Sequence, residues 1–308
     1  MLAIVCPGQG SQTPGFLAEW LEVEGVADHL ATLSTITERD LTAHGTVSDE
    51  ETIKDTAVAQ PLIVAAGLVT ARALFGDQLP AGSIVAGHSV GEITASALAG
   101  ALNEADAMNF VKVRANAMAE AAAATPTGMA AVLGGDPEEV LETLNGLGLT
   151  PANANGGGQI VAAGTTEQLA ELAENPPAKA RVIPLKVAGA FHTAHMQPAV
   201  GVLKELADTL TPAEPQVQLL SNFDGQPVTD GQANLDSLVA QVSRPVRWDL
   251  CMETLAAAGV TGVLELAPAG TLVGLARRGL KGVKTLAVKT PADLEAAKVF
   301  IAEHTSNE

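Results

Sequence analysis

The stretch Gly82-Ser83-Ile84-Val85-Ala86-Gly87-His88-Ser89-Val90-Gly91-Glu92 decides the fold of this 308-residue chain. Its first half is a short run of small and branched apolar residues between glycines, as in a strand buried on both faces. A helix is predicted to follow over residues 92–102. Between them Gly87-His88-Ser89-Val90-Gly91 fits G-x-S-x-G, in the strand–turn–helix setting that pattern requires. The glycines allow a sharp turn. Ser89 then stands at a helix N-terminus, where free N–H groups and the helix dipole favour negative charge on a nearby oxygen. A glycine-rich turn holding a chance serine is the plain alternative. The flanking strand and helix favour the nucleophile.

Working outward, Leu2–Cys6 is a second apolar run, stopped by Pro7-Gly8-Gln9-Gly10-Ser11-Gln12, and reads as a strand delivering a glycine-rich loop. An alanine-rich helix is predicted over 57–75. Asn103, with Asp106 three residues on, opens another that reaches about Ala123. Strands alternating with helices predict an α/β fold: a large α/β-hydrolase-like domain whose mainly parallel sheet is covered on both faces.

The rhythm then changes. Strands are predicted at 129–133, 149–154, 159–163 and 180–185. Asp136-Pro137 starts one helix among them, and Thr165 to Gln168 caps another. The order β-α-β-β-α-β is that of a ferredoxin-like unit. It predicts a small domain, 126–188, inserted in a large domain built from 1–125 and 189–308. Beyond it, helices are predicted at 194–210, 249–258, 271–280 and 291–304, with strands at 217–220, 260–266 and 285–288.

A net charge of −18 disfavours nucleic acid and anionic membrane surfaces, both of which select clustered Lys and Arg. Two distant cysteines, Cys6 and Cys251, argue against a disulfide framework of the kind small secreted domains use. The apolar start ends at Pro7, too short for a signal peptide or a membrane span, so a reduced cytoplasmic location is expected.

A nucleophilic serine needs a base. His29, His44 and His304 lie in polar surroundings and are expected at the solvated surface, while His88 should point away from Ser89. His192 follows the apolar run 187–191 and falls late in the chain, as the histidine of the α/β-hydrolase order does. It ranks a little above His195. A metal held by His192 and His195 is the weaker reading, because no H-E-x-x-H arrangement is present. Arg114 shares a helix face with Phe110, Val111, Ala117 and Met118, which points a guanidinium inward. A buried cation needs an anion. That anion is either an internal carboxylate or a substrate carboxylate held in two-pronged fashion.

Taken together, these residues resemble the malonyl-CoA:acyl carrier protein transacylases of fatty acid and polyketide synthesis. The likeness spans the chain and rests on the loop 7–12, Gln60-Pro61, the elbow 87–92, Arg114, 153–164, Ala190-Phe191-His192 and 241–248. It implies Ser89 as nucleophile and His192 as base and acid, with the main-chain carbonyl of Gln241 orienting the imidazole. It implies an oxyanion hole from Gln9 and the N–H of Val90, and a malonyl carboxylate on Arg114 beside Gln60. Phe191 resembles the malonyl-selecting form of its segment, although Gly189 stands where relatives carry histidine. The substrates implied are malonyl-CoA and a phosphopantetheinylated acyl carrier protein, with no cofactor and a monomeric enzyme. Basic groups at Arg277, Arg278, Lys281 and Lys284, or at Lys179, Arg181 and Lys186, are candidates for meeting an acidic carrier protein, or are simply solvated. A serine thioesterase or esterase, and a non-catalytic docking subunit, are the competing functions.

Overall fold

The structure is a computed structural model that describes residues 1–305. Two strands, β1 (Leu2–Cys6) and β2 (Ile84–Gly87), are followed by β3 (Thr127–Gly134), β4 (Thr150–Gly156), β5 (Gln159–Thr165) and β6 (Ala180–Pro184). After them come β7 (Gln218–Leu220), β8 (Pro227–Val228), β9 (Val246–Arg247), β10 (Gly262–Glu265) and β11 (Lys284–Ala287). A six-stranded sheet runs β11-β10-β1-β2-β7-β8, parallel throughout except for the last strand. Apolar residues on β1 serve both faces. Leu2, Ile4 and Cys6 enter one core cluster, while Ala3 and Val5 enter the other.

The helix Thr56–Phe75 packs inside the larger cluster. Its composition and length would suit a membrane span, yet 72% of its most apolar window is buried within the protein. Asp55 caps it by accepting from the Ala57 N–H. Beside it runs Glu104–Ala123, capped by Asn103, whose side chain accepts from the Asp106 N–H as the sequence led one to expect.

The second sheet has the order β6-β3-β5-β4-β9. Its first four strands follow ferredoxin-like order, with Pro137–Gly146 and Thr166–Glu174 as the two helices. The fifth comes from elsewhere: β9 lies in the chain beyond β8 and pairs in parallel with β4. Chain from the far side of the insertion thus completes the small sheet and ties it to the large one.

Three readings need correction. The helix after the elbow is Gly91–Leu98, not 92–102, because Gly100 takes φ 77° and the Ala101 N–H turns back to the Ser96 carbonyl. The span 194–210 begins as a 3-10 turn, Ala194–Met196, and is α-helical only over Gln197–Ala207. His304 is not solvated. It is 6% exposed, packs its ring on Phe300 and lies under Gly262, with Nδ1 2.8 Å from the Thr261 hydroxyl. Among the elements that sequence reading passed over are the helices Val26–Thr37 and Gly231–Gln241.

Candidate active site

Loops at the carboxyl ends of the parallel strands carry the site, where open α/β sheets place their ligands. At the end of β2 the chain turns so tightly that a Cβ on Gly87 would stand 2.0 Å from the Gly91 carbonyl oxygen, and one on Gly91 would stand 2.2 Å from that of Cys6. Ser89, at the apex, takes φ 54°, a left-handed conformation that costs a non-glycine residue on the order of 1 kcal/mol. Asn222, just after β7, holds it there. Its Oδ1 accepts from the Ser89 N–H at 2.8 Å, and its Nδ2 donates to the Gly87 carbonyl at 2.6 Å. The Ser89 backbone is braced on both sides.

His192 also sits at positive φ, 62°, with its N–H on the Val242 carbonyl. Its Nε2 lies 2.7 Å from Ser89 Oγ, and its Nδ1 2.9 Å from the Gln241 carbonyl. A carbonyl can only accept, so Nδ1 carries the proton and Nε2 is left to accept from the serine hydroxyl. His195, the runner-up, is exposed and does not line the cavity. Burial first, and the Arg114 cation second, press the His192 pKa from 6.5 to about 3, so the imidazole is a free base at neutral pH.

That shift has a consequence for stability. The unfolded chain takes up a proton near pH 6.5 that the native imidazole refuses until about 3, so this group withdraws stability as pH falls between those values. The full loss is on the order of 5 kcal/mol. Glu92 acts in the opposite sense. Burial raises its pKa from 4.5 to about 7, so its contribution grows as pH falls through that interval, by roughly 3 kcal/mol. The two slopes cancel between 6.5 and 4.5, and the histidine prevails below. Denaturant unfolding should therefore show a steeper acid loss in the native chain than in His192→Ala below about pH 4.5. Parallel curves would contradict the buried neutral imidazole.

Arg114 lies on the helix Glu104–Ala123 and is fully buried. Its Nη1 donates to Gln60 Oε1 at 2.7 Å and its Nη2 to Gln241 Oε1 at 2.8 Å, with Ser89 Oγ 3.4 Å from Nη2. Its Nε has no partner. Among the described residues no carboxylate forms a salt bridge with it, which removes the internal ion pair as the reason for its burial. Desolvation pulls its pKa down to about 9, opposed by the negative charge of Glu92, so it remains a cation at neutral pH. The two amides that hold it are fastened differently. Gln60 is tethered only by long contacts of its Nε2, 3.5 Å to Gln9 Oε1 and 3.6 Å to Met118 Sδ. Gln241 is fastened at its amide nitrogen to the Ser89 carbonyl and to Glu92.

A cavity of about 350 Å³ opens above Ser89, lined by Gln9, Gln60, Phe191 and His192 from the large sheet's side. Met129 and Val161 close it from the small sheet, with Met118 making a further apolar wall. Arg114 is not part of its wall; it stands behind Gln60 and Ser89. Arg278 reaches the mouth, 3.4 Å from Gln159 Oε1. Of the other basic candidates, Lys284 pairs with Glu303, Lys186 with Glu50, and Arg277 donates to the Thr285 hydroxyl, while Lys179, Arg181 and Lys281 are exposed. Val90 is buried, and neither its N–H nor that of Gln9 meets an acceptor among the described residues. Gln9 turns its side-chain nitrogen toward Thr56 and the Lys54 carbonyl. At Gly189 an added Cβ would come within 2.7 Å of Ala122 Cβ, so a side chain there requires the helix Glu104–Ala123 to give way.

All eight residues read from the sequence thus gather at one place. Two were passed over as participants. Asn222 could have been found from its position directly after a parallel strand. Asn155 Oδ1 lies 2.8 Å from His88 Nε2, linking the small sheet to the elbow, while His88 rests edge-on against Trp248.

A serine at a strained strand-to-helix turn, an imidazole oriented by a carbonyl, and two free N–H groups define an enzyme that works through an acyl-serine. The chain matches the family described as acyl transferase domain over residues 3–299. It is 53% identical over 297 residues to the malonyl CoA-acyl carrier protein transacylase of Mycobacterium tuberculosis, covering 96% of this chain and 98% of that one. The crystal structure of MCAT from Mycobacterium tuberculosis superposes with a TM-score of 0.93 at 52% identity, covering 97% and 99%. A malonyl-transacylase solved in complex with a type II PKS acyl-carrier protein gives 0.91 at 31%, again covering 97% and 99%. The chain belongs to the malonyl-CoA:acyl carrier protein transacylase family.

Proposed function

We propose that this enzyme moves a malonyl group from coenzyme A to the phosphopantetheine thiol of an acyl carrier protein, through a malonyl ester on Ser89. The observation that carries this is Arg114: a buried cation 3.4 Å from the nucleophile, bonded to amide oxygens and to no carboxylate. A plain esterase has no use for such a group.

In the first half-reaction Ser89 Oγ attacks the thioester carbon while His192 Nε2 takes the hydroxyl proton. The oxyanion forms against the N–H groups of Gln9 and Val90. The carbon–sulfur bond breaks, and the proton returns from His192 to the sulfur of coenzyme A. The acyl chain's carboxylate engages Arg114 once Gln60, the loosely tethered amide, swings aside. In the second half the carrier protein's thiol gives its proton to His192 and attacks the ester, and Ser89 Oγ recovers that proton on leaving. Each step balances with side chains alone, so no cofactor is called for.

Phe191 narrows the cavity beside the acyl chain, which supports selection against an added α-methyl. Arg278 supports docking of an acidic carrier protein at the mouth. The acceptors belong to fatty acid or polyketide synthesis. The enzyme acts as a monomer in the reduced cytoplasm, where Cys6 and Cys251 stay free thiols. We take 126–188 as an inserted small domain between the large-domain segments 1–125 and 189–308; the ferredoxin-like strand order supports it. Incubation with malonyl-CoA, acid quenching and peptide mapping should place one malonyl group on Ser89. Its rapid loss to a carrier-protein thiol, and slow loss to water, separates a transferase from a thioesterase. Absence of the adduct removes the enzyme reading.

A further inference from the structure

Beneath the elbow lies a carboxylate that the proposed chemistry does not use. Glu92, in the first turn of Gly91–Leu98, is 1% exposed. Its Oε1 accepts from the Asn222 N–H at 3.0 Å, and its Oε2 accepts from the amide nitrogen of Gln241. That same nitrogen donates to the Ser89 carbonyl at 3.1 Å, while the amide oxygen faces the other way and accepts from Arg114 at 2.8 Å. A side-chain amide has one donor end and one acceptor end. Which end meets Arg114 is therefore decided by what the opposite neighbour offers. A guanidinium can only donate, so the amide must show it oxygen, and its nitrogen must find acceptors. Glu92 and the Ser89 carbonyl are its nearer acceptors, and Asn222 Oδ1, at 3.4 Å, is a longer third.

We propose that Glu92 is a positioning residue for acid-tailed acyl groups: it locks the Gln241 amide with its oxygen toward Arg114 and so fixes the guanidinium beside Ser89. This rests on the malonyl-transfer reading above. Asn222 provides the internal contrast. Its side chain braces Gly87 and Ser89, as described, meets the Gln241 amide nitrogen only through Oδ1 at 3.4 Å, and makes no hydrogen bond to Arg114. Losing it should disturb the nucleophile for every acyl group alike. Replacing Glu92 by glutamine keeps shape but introduces an NH2 group. One of its two partners, the Asn222 N–H or the Gln241 amide, then meets a donor, and the Gln241 amide is free to turn its nitrogen toward Arg114.

The test measures transfer from malonyl-CoA and from acetyl-CoA to one carrier protein. In E92Q the preference for malonyl should fall about tenfold or more, a change of at least about 1.4 kcal/mol in discrimination. In N222A both rates should fall by the same factor. A native enzyme with no malonyl preference would overturn the transferase reading itself. A native preference that survives in folded E92Q, or E92Q losses equal for both substrates, overturns the role of Glu92.

If E92Q does not fold, the native enzyme supplies the answer through pH, because the ratio of the two rates cancels every group common to both reactions. The charged and titratable groups packed about Glu92 are Arg114 on Glu104–Ala123 and the Cys251 thiol on Trp248–Ala257, with His192 beyond Arg114. Arg114 stays charged, with a pKa near its lowered value of about 9, and burial pushes Cys251 up so that it stays a thiol. His192 stays neutral. The malonyl carboxylate is ionised throughout. Glu92, raised by burial to about 7, is the group left to titrate. A malonyl-to-acetyl ratio that falls from about pH 8 to about pH 6 supports the proposal, and a flat ratio overturns it.

Discussion

Ser89→Ala forms no acyl-enzyme and transfers malonyl slower by on the order of 10⁴-fold or more, and His192→Ala is impaired nearly as severely. Adding the second change to the first costs almost nothing further. The reason is geometric. Ser89 Oγ and His192 Nε2 are 2.7 Å apart and act on one proton, so removing either ends the same event. The two single variants nevertheless differ in what remains. In His192→Ala the hydroxyl still stands 3.4 Å from the Arg114 guanidinium, in a left-handed backbone braced by Asn222. A slow acyl-serine should therefore accumulate over long incubation with malonyl-CoA. In Ser89→Ala it cannot form at all. Mass spectrometry of both proteins, beside single-turnover rates, reads this directly. Additive losses in the double variant would mean that the two groups serve separate steps.

The fold was legible where one periodicity persisted over a whole element. Leu2–Cys6 and 82–87 could be read as buried parallel strands because they are apolar on both faces, and burial of every residue of β1 is what the structure gives. The β-α-β-β-α-β segment was legible through its caps, Asp136 and Thr165, each of which bonds to the helix it starts. What escaped was determined by tertiary pairing. Strand β9 has two residues and no alternating pattern; it exists because β4 offers an edge. His304 looked solvated amid polar neighbours at the chain's end, yet Gly262, lacking a side chain, leaves a place for its ring. At the site, glycine spacing announced the elbow and an inward arginine announced an anion. The orientation of amides could not be announced by any spacing. Asn222 and Glu92 earn their places through which atom faces which, and only a three-dimensional arrangement decides that.

Arg114→Ala should separate affinity for the acid tail from chemistry at the thioester. Two charge-assisted hydrogen bonds to a carboxylate are together worth about 3–5 kcal/mol in a desolvated pocket. The loss in kcat/KM for malonyl-CoA is then on the order of 10²–10³-fold. Acetyl-CoA, which has no anion to hold, should suffer far less, and the order of preference between the two should invert. Arg114→Lys should restore only part of the preference, since an ammonium is a point charge and cannot present the planar pair of N–H groups. The folded protein's own energetics point the same way. Desolvation holds the Arg114 pKa down to about 9, so at neutral pH the native state carries the penalty of a buried cation, and that penalty lifts only as pH rises above about 9 toward the ordinary guanidinium range. Anionic acyl groups relieve it on binding; neutral ones do not. Thermal unfolding should accordingly show malonyl-CoA raising Tm more than acetyl-CoA at equal free concentration, with the difference gone in Arg114→Ala. That variant also strands the acceptor oxygens of Gln60 and Gln241, so its own Tm should not rise despite the loss of a buried charge. If Arg114→Ala kept its malonyl preference, the guanidinium would be a brace for two glutamines and nothing more.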